Sequence, residues 1–304
     1  MNYKEEILKL KKEKNARILA HYYQLPEIQE IADDIGDSYH LSVIASQCKE
    51  QLIVFCGVKF MAESAKILSP KKTVLLPVLD AGCPMADMAD AEGLLKLKEE
   101  HPDALVVCYI NSTTEVKAHC DVSVTSSSAE RIFKNIDNKK IIFLPDKNLG
   151  QYLASKFPEK EFILWPGFCV THARVSPEDV LELKETHPEA VVLAHPECEP
   201  EVCSLADYVG STSGILKYAT DSEKKEFIVV TEEGILYEMK KQNPDKTFYV
   251  PCGSMVCQNM KKTKLKDVYE SLLHEHYKIE INEDLRQKAY TSLMNMHRLS
   301  EKII

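Results

Sequence analysis

Leu95-Lys96-Leu97-Lys98-Glu99-Glu100-His101-Pro102-Asp103-Ala104-Leu105-Val106-Val107 returns 86 residues later as Leu181-Glu182-Leu183-Lys184-Glu185-Thr186-His187-Pro188-Glu189-Ala190-Val191-Val192-Leu193. A fainter copy lies 87 residues upstream, where Leu8-Lys9-Leu10-Lys11-Lys12-Glu13 runs into Ala16-Arg17-Ile18-Leu19. The register persists along each copy. Ala32-Asp33-Asp34-Ile35-Gly36-Asp37-Ser38 aligns with Cys120-Asp121-Val122-Ser123-Val124-Thr125-Ser126 and with Ala206-Asp207-Tyr208-Val209-Gly210-Ser211-Thr212. His21, Tyr109 and His195 correspond in the same frame. Self-similarity at a period of tens of residues means one supersecondary unit used repeatedly. The chain is three copies of one unit.

Each copy reads helix, strand, helix, strand, helix, strand. Lysine and glutamate between apolar positions at helical spacing mark the helices, as at Ile7, Leu8, Leu10 and at Leu181, Leu183. Ser176-Pro177-Glu178-Asp179 reads as an N-cap, a first-turn proline and first-turn acids. Short apolar runs mark strands at 17–20, 52–55 and 73–76, at 105–107, 141–144 and 162–164, and at 191–193, 227–230 and 247–250. Apolar strands alternating with helices imply parallel sheets covered on both faces. In such sheets ligands gather beyond the carboxyl ends of the strands. The expected fold is therefore α/β, with three pseudo-symmetric α/β/α units whose parallel sheets surround a central site. The units span 1–86, 87–172 and 173–263, and helices within 264–304 complete the first. Asn282 is the expected N-cap of the last helix.

The 304 residues are 44% hydrophobic and 28% charged, enough to bury a core without disulfide staples. A net charge of -9 argues against a nucleic-acid partner and leaves an anionic small substrate open. The longest apolar runs, such as 74–79, are far short of a membrane span. The charged start, Met1-Asn2-Tyr3-Lys4-Glu5-Glu6, is no signal peptide. A cytoplasmic protein without a membrane partner is the expectation. Ten cysteines in a reducing compartment are then core residues or metal ligands, not a disulfide framework.

Three cysteines stand just past the last strand of each unit, in Gly82-Cys83-Pro84, Gly167-Phe168-Cys169 and Ser254-Met255-Val256-Cys257. They are 86 and 88 residues apart, the length of the repeat. Three thiolates converging where the sheets meet suit iron–sulfur or zinc. Held by three cysteines, a four-iron cluster would leave one iron open as a Lewis acid. Cys56, Cys108 and Cys120 sit in or beside apolar runs and read as core filler, while Cys48, Cys198, Cys203 and Cys252 are ambiguous. No C-x-x-C pair occurs, which counts against a zinc ribbon or a ferredoxin.

The first strands end in His21-Tyr22-Tyr23, Tyr109-Ile110-Asn111 and His195-Pro196-Glu197, three equivalent loops suited to acid–base work. The next loops carry Asp37-Ser38, Thr125-Ser126 and Ser211-Thr212. Their hydroxyls beside helix N-termini suit carboxylates or phosphate. Taken singly, Ser38, Ser126 and Thr212 also read as plain N-caps.

These motifs, with Gly57-Val58-Lys59-Phe60-Met61-Ala62-Glu63, Pro145-Asp146-Lys147-Asn148-Leu149-Gly150, Cys169-Val170-Thr171-His172 and Cys257-Gln258-Asn259-Met260-Lys261, resemble the quinolinate synthase family over nearly the whole chain. The resemblance implies one [4Fe–4S] cluster per chain on Cys83, Cys169 and Cys257. It implies condensation of iminoaspartate with dihydroxyacetone phosphate to quinolinate, with loss of phosphate and water, in de novo NAD synthesis. The substrate-binding positions it implies are His21, Ser38, Tyr109, Ile110, Asn111, Ser126, His195, Pro196, Glu197 and Thr212. Glu197, Tyr23, Tyr109, His21 and His195 are the catalytic candidates, with Glu197, Tyr23 and Tyr109 as possible bases. A shared unstable imine gives a reason for functional coupling to an aspartate-oxidising enzyme. Some longer members of the family carry C-x-x-C-x-x-C at the third ligand, whereas here the nearest upstream thiol is Cys252.

Overall fold

The computed structural model describes residues 2–251 and 255–301. Every apolar run read above as a strand contains one. The first sheet contains β1 (Ala16–His21), β2 (Asp34–Gly36), β3 (Leu52–Cys56) and β4 (Thr73–Leu75). In the second are β5 (Leu105–Tyr109), β6 (Val122–Val124), β7 (Lys140–Leu144) and β8 (Glu161–Leu164). The third holds β9 (Val191–Ala194), β10 (Tyr208–Val209), β11 (Glu226–Val230) and β12 (Thr247–Tyr249). All pairings are parallel, in the orders β2-β1-β3-β4, β6-β5-β7-β8 and β10-β9-β11-β12. The chain changes direction across each sheet beside its first strand, so a crevice opens beyond the carboxyl ends there.

The edge strands β2, β6 and β10 are an addition to the sequence reading. They are two or three residues long and include Asp34 and Ser123, so no apolar run marks them. The thrice-repeated aspartate holds them in register. Asp33 accepts the Ile18 N–H through Oδ2 at 2.8 Å, and Asp121 and Asp207 accept those of Val106 and Val192 at the same distance. Each aspartate N–H donates back to the same residue's carbonyl. A charge-assisted bond at the mouth of a short ladder replaces the strand length it lacks.

The Ser176 capping box forms, and Asn282 accepts from the Asp284 and Leu285 N–H groups as expected. One apolar core joins the first two sheets, with Leu19 and Phe55 on one side and Val107 and Phe143 on the other. The last helix, Glu283–Glu301, sends Ala289, Leu293 and Met296 into that core. It packs on β6 and on the helices Thr114–Lys117 and Lys59–Leu68, spanning the seam between the first two units. Helix Leu265–His274 packs instead on Tyr3–Glu13.

The third unit keeps cores of its own, around Val180, Val192 and Ile228 on one face and Leu193, Ile215 and Phe227 on the other. Its approach to the first unit depends on Gly234. A Cβ there would lie 2.7 Å from Cα of Tyr23 and 2.8 Å from its carbonyl carbon. Gly234→Ala should therefore destabilise the chain by about 1–3 kcal/mol and lower its melting midpoint, followed by circular dichroism, by a few degrees. An unchanged midpoint would mean that the contact with Tyr23 yields freely.

Candidate active site

Beyond the carboxyl ends of the three sheets lies one cavity of roughly 770 Å³, open mouth included. The first unit lines it with His21, Tyr23, Asp37, Ser38 and Cys83, and the second with Tyr109, Asn111, Ser126 and Cys169. From the third come His195, Glu197, Thr212 and Cys257. Of the ligand, catalytic and substrate-binding candidates named from the sequence, Ile110 and Pro196 stand apart. Ile110 is buried in the apolar core and Pro196 is buried beside its loop, and neither lines the cavity.

The two histidines are set alike. Nδ1 of His21 accepts the Tyr23 N–H at 3.1 Å, and Nδ1 of His195 accepts the Glu197 N–H at 3.3 Å. A ring accepting at Nδ1 carries its proton on Nε2. Nε2 of His195 lies 3.2 Å from Oγ of Ser126. Burial lowers the pKa of His21 to about 4 and of His195 to about 3, so both are neutral donors at pH 7.

Glu197 is 4% exposed. Burial opposes its charge, but His172 and His195 beside it, and hydrogen bonds from His172 and Tyr109, hold its pKa well below the usual carboxylate range. The Tyr109 hydroxyl donates to Oε1 at 2.6 Å, and Nδ1 of His172 is 2.8 Å from Oε2. Nε2 of His172 meets Oγ1 of Thr231 at 3.0 Å, and Thr231 meets the Tyr23 hydroxyl at 2.8 Å. That hydroxyl also meets Oγ1 of Thr212, at 2.7 Å. Six side chains from three units thus form one continuous network. Burial pushes both tyrosines well above their ordinary value, so they stay protonated.

Capping duty falls elsewhere than on the hydroxyls named from sequence. Asp37 caps helix Ser38–Gln47 and Ser211 caps helix Thr212–Asp221, which leaves Ser38 and Thr212 as first-turn residues facing the cavity. In the second unit Thr125 and Ser128 bond each other, leaving Ser126 to the cavity. Among the described residues no lysine or arginine lines the cavity. An anion there would rest on neutral N–H and O–H donors and on two helix N-termini.

The family model described as quinolinate synthetase A protein matches residues 5–298. A quinolinate synthase of Clostridium perfringens is 62% identical over 98% of this chain and 99% of its own length. That of Clostridioides difficile is 61% identical over 97% of both chains, and that of Caldicellulosiruptor saccharolyticus 57% over 98% of both. The chain belongs to the quinolinate synthase family. It is an enzyme, and the quinolinate synthase family implies a metal cofactor. Among the described residues no helix is long and apolar enough to cross a membrane.

The donor set fits such a cofactor. Cys83, Cys169 and Cys257 follow β4, β8 and β12 and open on the same cavity. Burial raises the Cys83 thiol to about 12, Cys169 well above its ordinary value, and Cys257 upward as well. Alone, these thiols stay protonated, and a bound metal would reverse that balance. Three partly buried sulfurs from separate loops are a soft set suited to iron–sulfur or zinc. Cys169, His172 and Glu197 form a second candidate set, with ligand atoms all within 4.8 Å. There, however, His172 and Glu197 already have partners in each other, Thr231 and Tyr109.

The third thiol is steadied by a carboxylate that sequence reasoning missed. Glu232, wholly buried, accepts the Cys257 N–H at 3.0 Å and pairs with Lys261 at 2.8 Å, and Lys261 donates to the Tyr23 carbonyl at 2.6 Å. Thr231 was missed too, and His172 stood only within a family motif, with no role assigned to it. His172 has Ala86 and Met260 at its repeat positions, so symmetry could not flag it, although it stands three residues after a candidate ligand. All cysteines among the described residues are free, and Cys56, Cys108 and Cys120 are buried as expected. Cys252 lies outside the described residues.

Neutral burial of His21 and His195 has a thermodynamic consequence. Unfolded, each ring takes up a proton near pH 6.5, but folded it resists until about 4 and about 3. The unfolded state binds more protons in between, so stability is full above pH 6.5 and falls as pH drops. Glu197, with its depressed folded pKa, adds to the loss only below the usual carboxylate range. Urea midpoints should decline between about pH 6.5 and 4.5, and His21→Asn or His195→Asn should flatten that slope. The same slope in both variants would contradict neutral burial.

Proposed function

We propose that this enzyme condenses iminoaspartate with dihydroxyacetone phosphate, releasing phosphate and two waters to give quinolinate for NAD synthesis. In this reading Cys83, Cys169 and Cys257 hold one [4Fe–4S] cluster. The observation that carries it is the cavity itself, where three repeat-matched thiols and a buried, ionised carboxylate face the same space. When bound, the cluster supplies an iron without a protein ligand, a Lewis acid for oxygen or nitrogen atoms of the substrates.

Glu197 acts as the base that removes a proton beside a carbonyl or imine, since it alone among the three base candidates is ionised at neutral pH. Tyr109 and His172 hold it in place by their hydrogen bonds to its two oxygens. Tyr23, protonated and joined to Thr212 and Thr231, returns a proton to a departing oxygen. Nε2–H of His21 and of His195, the Asn111 amide and the hydroxyls of Ser38 and Ser126 hold carboxylates and phosphate. Oδ1 of Asn111 is buried without a protein partner, as a group reserved for a ligand would be. Ile110 and Pro196 contribute by shaping the loops that carry Asn111 and Glu197. A cytoplasmic setting, and functional coupling to an aspartate-oxidising enzyme that supplies the imine, complete the proposal.

Protein purified without oxygen should carry about four irons with matching sulfide per chain, and changing Cys83, Cys169 or Cys257 to Ser should remove them. Iron that survives all three changes, or zinc in its place, would overturn the cluster assignment. Separately, Glu197→Gln should keep the iron and lower quinolinate formation by at least about 10²-fold. Parental turnover in that variant would remove Glu197 from the role of base.

A further inference from the structure

Each strand-end loop is followed by a one-turn helix at the same repeat position, Pro26–Gln29, Thr114–Lys117 and Pro200–Cys203. The last residue of each turns its side chain back under its own loop. Nε2 of Gln29 donates to the carbonyls of Tyr22 and Gln24, both at 2.9 Å. Nζ of Lys117 donates to the Ser112 carbonyl. Sγ of Cys203 lies 3.6 Å from the Cys198 carbonyl and 3.7 Å from that of His195. Gln24, Ser112 and Cys198 are one repeat position, three residues after His21, Tyr109 and His195. One clamp therefore recurs three times with three different donors.

Lys117 is the costly version. It is 0% exposed, with Nζ 5.5 Å from the Phe60 ring centroid, and burial lowers its pKa despite the attraction of Cys108 and Glu63. Its repeat partner Gln29 makes the equivalent bond with no charge at all. The loop it serves is tightly coupled to the cavity. The Ser112 hydroxyl donates to the Tyr109 carbonyl at 2.7 Å, and the Ser112 N–H to the Ile110 carbonyl at 2.8 Å. Between them, Asn111 lines the cavity and the Tyr109 hydroxyl meets Glu197. A displaced Ser112 carbonyl moves both.

We infer that Lys117 is a positioning residue for the Tyr109–Asn111 loop, acting through its hydrogen bond to the Ser112 carbonyl and not through its charge. The inference rests on the function proposed above for its effect on turnover, but the clamp itself does not. The repeat suggests the deciding pair of variants. Lys117→Gln copies the solution of the first unit, whereas Lys117→Met keeps length and apolar volume without a donor.

Hydrogen exchange across residues 109–116 and steady-state kinetics would be measured on the iron-loaded enzyme, with iron content as control. Lys117→Met should exchange faster at the Ser112 amide and turn over about 10²-fold more slowly with its iron intact, and Lys117→Gln should match the parent in both. Parental exchange and turnover in Lys117→Met would overturn the inference. So would a Lys117→Gln variant as impaired as Lys117→Met, because charge would then be what the position supplies. If Lys117→Met does not accumulate, Lys117→Gln decides alone, parental behaviour supporting the clamp and impairment refuting it. If the parent makes no quinolinate, the exchange comparison still tests the clamp while the proposed reaction fails independently.

Discussion

Glu197 is an ionised carboxylate almost wholly withdrawn from water, and the Tyr109 hydroxyl and the His172 ring make that tenable. An unpaired buried charge is costly, so the acid stays ionised only where both donors arrive together. Tyr109 ends β5 in the second unit, and His172 follows the second unit's thiol. Glu197 itself belongs to the third. Through Thr231 the same network reaches Tyr23 of the first unit. The charge state at the centre is therefore a property of three docked units and of none alone.

Docking at the third unit is partly polar: its two main apolar cores are distinct from the one that unites the first two, which reaches it through Met260, while Tyr22 packs on both sides of the seam. The polar contacts are hydroxyl to hydroxyl at Tyr23 and Thr212, and Lys261 to the Tyr23 carbonyl, with Gly234 closing on the same backbone. Polar contacts are directional, so they determine where the third loop stands relative to the first. Glu232 adds to this, since the buried acid that pairs with Lys261 also holds the N–H of Cys257. The position of a thiol and that of the Tyr23 loop thus rest on one ion pair.

Much of this was legible because the chain repeats. Apolar runs recurring at a fixed period named the central strands, and the same frame picked out the three cysteines and three strand-end loops that share the cavity. The edge strands escaped because two or three residues held by an aspartate leave no hydrophobic signal. Thr231 escaped, and His172 gained no role from the repeat, because neither has a like residue at its position in the other units. Ser38 and Thr212 were legible as helix-start residues, but Asp37 and Ser211 do the capping, and a one-residue shift is what decides whether a hydroxyl is spent on the backbone or left for a ligand.

The residues alone determined the alternation of strand and helix, the threefold repetition, and the side of each sheet on which polar groups and thiols would collect. Those follow from local periodicity and spacing, which act over a few residues at a time. Only the tertiary structure decided the protonation states, with His21 and His195 neutral, both tyrosines protonated and Glu197 ionised. Burial and partners drawn from other units set those states, and neither exists until the three units close on one another.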